Sequence, residues 1–99
     1  MLTFVGVGKI QPGKMDEVLQ ALDAFVPKIR TEESTIEYID YRGTQDPNVL
    51  VFLEKYRDEQ AQKAHGASAE MQTFLSVIGP AIDGEPIMTV VEEAAAVRH

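Results

Sequence analysis

The segment from Val49 to Tyr56 constrains the fold more than any other part of the chain, because both of its faces are largely apolar. Alternate residues of a strand point to opposite faces, so Leu50 and Phe52 share one face while Val51 lies on the other. A strand of this kind has to be covered on both sides. We therefore expect it at the centre of a sheet that has helices on one face and a further covering layer on the other.

Strand and helix patterns alternate along the chain in the order strand, helix, strand, strand, helix, strand. The strand patterns span residues 2–10, 34–43, 49–56 and 87–93. Asp46-Pro47-Asn48 predicts a turn that makes the second and third strands antiparallel neighbours. This order is typical of an α+β, ferredoxin-like βαββαβ domain with a four-stranded antiparallel sheet, which here occupies residues 1–99. Because one sheet face would stay bare and apolar, we also expect a two-fold homodimer in which sheet packs on sheet.

The helical segments carry signals for where they begin, bend and end. The first has an apolar stripe at a spacing of three and four residues, formed by Met15, Val18, Leu19, Leu22, Val26 and Ile29. Pro27 predicts a kink over residues 23–27, after which the helix resumes through residue 33. The second helical region is interrupted by Gly66, with Asp58 and Ser68 as expected N-caps of its two parts.

Composition excludes several classes of function. The chain has 99 residues, a net charge of -7 and no cysteine. The negative charge argues against nucleic acid and anionic membranes as partners, since both require a basic patch. Without cysteine there is neither disulfide framework nor thiolate chemistry, and no ligand-spaced cluster indicates a metal site. The N-terminus shows neither a signal-peptide pattern nor a membrane span, so we expect a cytoplasmic protein.

The region from the third strand into the following helices combines sparse polar groups with an apolar wall, which is typical of a small ligand pocket. With the rest of the chain it resembles the antibiotic biosynthesis monooxygenase-like domains, small dimeric α+β-barrel proteins that include quinol monooxygenases. The resemblance covers nearly the whole chain. It is carried by residues 2–5 and 12–14, Glu33, Tyr38, residues 46–48, Glu54-Lys55-Tyr56, Ala61, His65, Ser68 and Phe74.

Several positions depart from the family pattern. Glu33-Ser34-Thr35 stands where members often have Glu-Pro-Gly, and Tyr56 stands where many have tryptophan. Glu70 occupies the position of a second histidine found in several members. The chain has no tryptophan, so it does not resemble the haem-degrading branch. These departures leave the fold expectation unchanged and bear on the reaction.

The resemblance implies oxidation of a small quinol-like or polyphenolic aromatic by O₂, with no flavin, metal or other cofactor. His65 is the expected catalytic base, since its unperturbed pKa of about 6.5 lies near working pH. Glu54 is the expected catalytic partner that fixes the histidine tautomer or orients a substrate hydroxyl. The expected substrate-binding residues are Tyr38, Phe52, Tyr56, Met71 and Phe74.

Other interpretations of the same residues stay open. His65 can be a surface or structural residue of its helix. Tyr38 and Tyr56 are good strand formers, and Met71 and Phe74 can belong to the core. Glu54 can pair with Lys55, Arg42 or Arg57. Two other functions fit the pattern. One is an isomerase or lyase acting on a small carbonyl compound, which needs the same base without O₂. The other is a non-catalytic dimer that binds a small ligand.

Overall fold

Four strands form one antiparallel sheet in the order β2-β3-β1-β4, and three α-helices pack on one of its faces. The computed structural model describes residues 1–99. The strands are β1 (Leu2–Lys9), β2 (Thr35–Arg42), β3 (Val49–Tyr56) and β4 (Ile87–Val91). The helices are α1 (Met15–Ile29), α2 (Glu59–Gly66) and α3 (Ala69–Ile78), followed by a 3₁₀ turn at Gly79–Ala81. The ferredoxin-like fold class predicted from the sequence is confirmed, while β4 ends at Val91, two residues earlier than expected.

The pairing register decides which side chains face the helices. Phe4 lies opposite Glu54 and Gly6 lies opposite Phe52 in the β1–β3 ladder. Tyr38 lies opposite Glu54 in the β2–β3 ladder, which is antiparallel as predicted. Since side chains alternate between faces, the even-numbered residues of β3 point to the helical layer. Leu50, Phe52 and Tyr56 are accordingly buried.

Helix α1 differs from its expected form at two points. Its buried stripe contains Phe25 rather than Val26, because the ring of Phe25 stacks on Phe74 at a centroid distance of 4.5 Å. The helix also ends at Ile29 instead of continuing through residue 33. Two backbone hydrogen bonds that each span three residues form a turn at this end of the helix. They run from Thr31 N to Lys28 O and from Glu32 N to Ile29 O. The helix is continuous through Pro27, and a bend at that residue stays a prediction.

Both predicted caps of the second helical region are confirmed. The carboxylate of Asp58 accepts a hydrogen bond from the backbone N–H of Ala61 at 2.9 Å, which fixes the start of α2. The hydroxyl of Ser68 accepts one from the N–H of Met71 at 3.1 Å and fixes the start of α3. Gly66 is the last residue of α2, and the break between the two helices falls at Ala67 and Ser68.

The opposite face of the sheet carries no helix. Its side chains are mainly apolar, and Val7, Tyr41 and Ile87 are among the exposed large residues of the chain. The predicted homodimer would cover this face, and it stays a prediction here. None of the three α-helices combines the length and the apolarity required to cross a membrane.

Candidate functional site

A cavity of about 270 Å³ lies between the sheet and helices α2 and α3. All seven residues that the sequence predicted for the site line it, namely Tyr38, Phe52, Glu54, Tyr56, His65, Met71 and Phe74. The other lining residues are Gln62, Gly66, Leu75, Ile78, Ile82, Pro86 and Met88. The geometry therefore brings the predicted residues together in one place, and their roles in chemistry stay predictions.

His65 is buried in the cavity wall, with only 3% of its surface exposed. Its Nδ1 lies 2.7 Å from Oε1 of Glu32, in the segment between α1 and β2. Its Nε2 is buried and has no hydrogen-bond partner in the protein. An ionised carboxylate only accepts hydrogen bonds, so in the neutral imidazole this contact favours the tautomer with the proton on Nδ1 and the lone pair on Nε2.

Glu54 does not take the place beside the histidine that the sequence suggested for it. Its Oε1 instead accepts a hydrogen bond from the hydroxyl of Tyr56, two residues along the same face of β3. Nor does it pair with a cation, since the amine of Lys55 contacts Glu37 at 3.2 Å. The difference arises because Glu32 reaches Nδ1 from the loop after α1. A role for Glu54 in orienting a substrate hydroxyl stays a prediction.

The two tyrosines of the cavity stay protonated at neutral pH. Burial raises the pKa of Tyr38 well above its usual value of about 10, and the carboxylates of Asp40 and Glu54 raise it further. Burial and the hydrogen bond to Glu54 raise the pKa of Tyr56 in the same direction. Their ring centroids lie 5.6 and 5.4 Å from that of His65. The tyrosines can therefore donate hydrogen bonds beside the histidine but cannot act as bases.

The apolar wall is held by aromatic packing from the core behind it. Phe25 stacks on Phe74 and meets the ring of Tyr38 edge to face at a centroid distance of 5.6 Å. Phe52 is buried beneath the cavity, and Met71 is packed against the same core cluster. A flat ring that enters the cavity would thus meet aromatic and thioether surfaces, which favour such contacts.

Comparison with known proteins decides the family. Residues 1–76 match the family model described as antibiotic biosynthesis monooxygenase. The chain belongs to the antibiotic biosynthesis monooxygenase family. A Bacillus subtilis (strain 168) protein named "Putative monooxygenase YcnE" is 34% identical over 68 residues, which cover 69% of this chain and 72% of that protein.

Solved structures agree with this family fold. The crystal structure of an antibiotic biosynthesis monooxygenase matches with a TM-score of 0.88 at 23% identity, covering 96% of this chain and all of that one. A conserved protein from Methanosarcina mazei Go1 matches with a TM-score of 0.86 at 21% identity, covering 93% and 91% of the two chains. At these identities the likeness concerns the fold alone.

The sequence did not predict two acidic residues, Glu32 and Asp40, that lie near the cavity. Glu32 holds His65, yet it lies 33 positions away in a loop whose course the sequence does not specify. Asp40 lies on the helix-facing side of β2, and both of its carboxylate oxygens are buried without a hydrogen-bond partner. Burial, with a smaller contribution from Glu54, raises its pKa to about 7. The one signal for Asp40 in the sequence was that a charged residue alternates with Tyr38 on the side of β2 that faces the helices.

A second, polar cavity of about 500 Å³ lies on the other side of His65. Glu32 and Arg57 line it, and His65 contributes to the walls of both cavities. The histidine thus lies between a polar cavity and a mainly apolar one. No group of three or more His, Cys, Asp or Glu side chains has the arrangement of a metal site.

Proposed function

We propose that this protein is a cofactor-independent monooxygenase that oxidises a small quinol-like or polyphenolic aromatic with O₂. Membership of the antibiotic biosynthesis monooxygenase family supplies the reaction class. One structural observation carries the rest of the proposal. His65, whose buried Nε2 has no hydrogen-bond partner, contributes to the wall of a mainly apolar cavity of about 270 Å³, which suits a small aromatic ring.

The proposed chemistry needs no electron donor other than the substrate. With a hydroquinone, one oxygen atom of O₂ enters the ring and the other leaves as water, so the products are a hydroxyquinone and H₂O. The substrate supplies all four electrons. A phenol hydroxyl has a pKa of about 10, and its deprotonation makes the ring a better electron donor to O₂. The protein therefore has to supply a base, a dry pocket and a fixed orientation.

The side chains of the cavity match these three requirements. His65 takes the substrate proton on Nε2, and the imidazolium that forms is stabilised by Glu32 at Nδ1. That proton is later returned to the oxygen that leaves as water. Tyr38 and Glu54 are placed to orient the substrate hydroxyls, and Phe52 with Phe74 walls the ring.

Oxygen consumption tests the proposal directly. Metal-stripped, flavin-free protein is incubated with a panel of hydroquinones, and O₂ uptake is compared with the autoxidation rate. His65→Gln, which keeps a polar group near Glu32 but removes the base, should lower the enzyme-dependent rate about 100-fold. His99→Gln changes the only other histidine of the chain and should leave the rate unchanged.

The outcomes separate the alternative functions. Equal uptake by wild type and His65→Gln would remove the histidine from the mechanism. Binding of the aromatic compounds without any uptake above autoxidation would overturn the monooxygenase proposal and leave an isomerase or lyase, or a binding protein. Turnover of a small carbonyl compound under nitrogen would then favour the isomerase or lyase.

The assembly we propose is a homodimer closed through the bare sheet face. Apolar patches beyond a few hundred Å² are uncommon on soluble monomers, and an isologous contact between two copies would cover this face. The cavity lies on the other side of the sheet, so each protomer would hold a separate site.

A further inference from the structure

The polar residues of the cavity are clustered in one part of its wall, and the rest of the wall is mainly apolar. Tyr38, Tyr56 and His65 have neighbouring rings, and Tyr56 bonds Glu54, so these four form one polar cluster. The remaining wall is apolar except for Gln62, and it includes Leu75, Ile78, Ile82, Pro86 and Met88. A ligand that fits this distribution has a hydroxylated end and an apolar end.

The apolar end of the cavity leads to the surface. Leu75 on α3 and Met88 on β4 line the cavity although 45% and 50% of their surfaces are exposed, so they form its mouth. Val90 is also exposed and lies on the same face of β4 as Met88, about 7 Å further along the strand. An apolar path therefore continues outside the mouth. Ile87 points to the opposite, bare face of the sheet and belongs to a different surface.

Met88 owes its position to a glycine in the neighbouring strand. Gly6 lies opposite Met88 in the β1–β4 ladder, and a Cβ atom at Gly6 would clash with the Met88 sulfur. The thioether thus lies directly on the β1 backbone at the mouth. Methionine is unbranched and polarizable, so it can adapt to an alkyl chain that passes over it.

We propose that the aromatic substrate carries an uncharged, apolar side chain that leaves the cavity past Leu75 and Met88. This proposal rests on the proposed function for the identity of the ring, and it adds the class of substituent. No lysine or arginine lines the cavity, so a carboxylate or phosphate held inside it would find no partner.

Binding of phenols that are not quinols tests this inference without O₂ chemistry. The ligands are phenol and 4-alkylphenols with two, four and six carbons, and 4-hydroxyphenyl alkanoates of matching length. Methionine methyl NMR reports the contacts, because the chain has four methionines in different places. Met71 and Met88 line the cavity, whereas Met15 is buried in the core and Met1 is exposed at the terminus.

We expect affinity to rise about twofold for each methylene of the alkyl series, since burial of the chain at the mouth is partial. The Met71 methyl should respond to phenol itself, and the Met88 methyl should respond increasingly as the chain lengthens. At each chain length the alkanoate should bind more weakly than the matching alkylphenol, and most so for the shortest chain, whose carboxylate would be held inside the cavity. The signals of Met1 and Met15 should not move.

Two neighbouring variants of β4 make the test specific. Met88→Gln should flatten the dependence of affinity on chain length, whereas Ile87→Gln, on the opposite face, should retain it. An affinity independent of chain length, while phenol still binds, overturns the side-chain inference alone. A dependence lost in Ile87→Gln instead would place the alkyl chain on the bare sheet face and overturn it too.

The same experiment distinguishes this inference from the proposed function. Failure of every phenol to bind would overturn both. A chain-length dependence that requires Met88, in a protein that consumes no O₂ with alkylhydroquinones, would support the inference and overturn the monooxygenase proposal.

Discussion

Asp40 is the residue whose surroundings fit its chemistry least. Both carboxylate oxygens are buried without a hydrogen-bond partner, and burial raises its pKa to about 7. The ordinary value is about 3.9, so between these two pH values the folded chain binds a proton that the unfolded chain has lost. The free energy of unfolding therefore falls as pH rises from about 4 to about 7, and it levels off above that range.

Replacing Asp40 by asparagine should remove this pH dependence. Asparagine is close in shape to the neutral acid and never ionises, so Asp40→Asn should be more stable than wild type by about 1–3 kcal/mol above pH 7. Below pH 4 the two should differ little. Urea unfolding at pH 4.0, 6.0 and 8.0 measures this, with the exposed Asp83→Asn as control. The prediction would be contradicted if wild type became more stable relative to Asp40→Asn as the pH rose from 4 to 7.

At the scale of elements, the contact between Glu32 and His65 joins the loop after α1 to helix α2. Removing the carboxylate leaves a buried imidazole nitrogen without its partner, which costs about 1–3 kcal/mol. Glu32→Ala should lower the free energy of unfolding by this amount, whereas the exposed Glu33→Ala should change it by less than about 0.5 kcal/mol. Equal effects of the two substitutions in urea unfolding would show that the contact carries no stability.

The elements also show which parts of the structure the sequence could predict. Strand faces follow a period of two, and the caps at Asp58 and Ser68 are satisfied within three residues, so local sequence determined both. The choice between Phe25 and Val26 depended on Phe74 in another helix, and a helical period admits either residue. Contacts between residues far apart in the chain likewise depend on the assembled fold, so the local sequence does not determine them.

The candidate site shows the same division. Its seven predicted residues converge on one cavity because β3 and the following helices bring most of them together within a short stretch of chain. The sequence suggested Glu54 as the partner of His65, and this was wrong. The loop between α1 and β2 brings Glu32 to Nδ1, while Glu54 accepts a hydrogen bond from Tyr56. Hydrogen-bond partners of buried groups are decided by the assembled fold, where each group takes the partner within reach.

At the scale of the whole molecule, the sheet separates two surfaces with different tasks. The helix-covered face holds the cavity, on the side of the sheet away from the proposed dimer contact. The bare face presents Val7 and neighbouring apolar side chains of the central strands. Association through that face would therefore stabilise the sheet without supplying a lining residue to the cavity. Ligand binding and dimer formation should then be separable by substitution.

A charge on the bare face tests that separation. Val7→Glu would bring two carboxylates to a shared apolar contact, and their desolvation should shift the protein from dimer to monomer. Val77→Glu, on α3 in the helical layer, is the matched control because the two valines are 42% and 41% exposed. Sedimentation velocity over a range of protein concentrations measures the association.

The dissociated variant should still bind a phenol, with the same response of the Met71 methyl group, because the cavity and the proposed dimer contact lie on opposite sides of the sheet. A monomeric wild type would contradict the proposed dimer. A Val7→Glu monomer that stays folded but no longer binds phenol would show instead that the dimer contact shapes the site. In that case the sheet would couple its two faces, and the cavity could not be understood from a single chain.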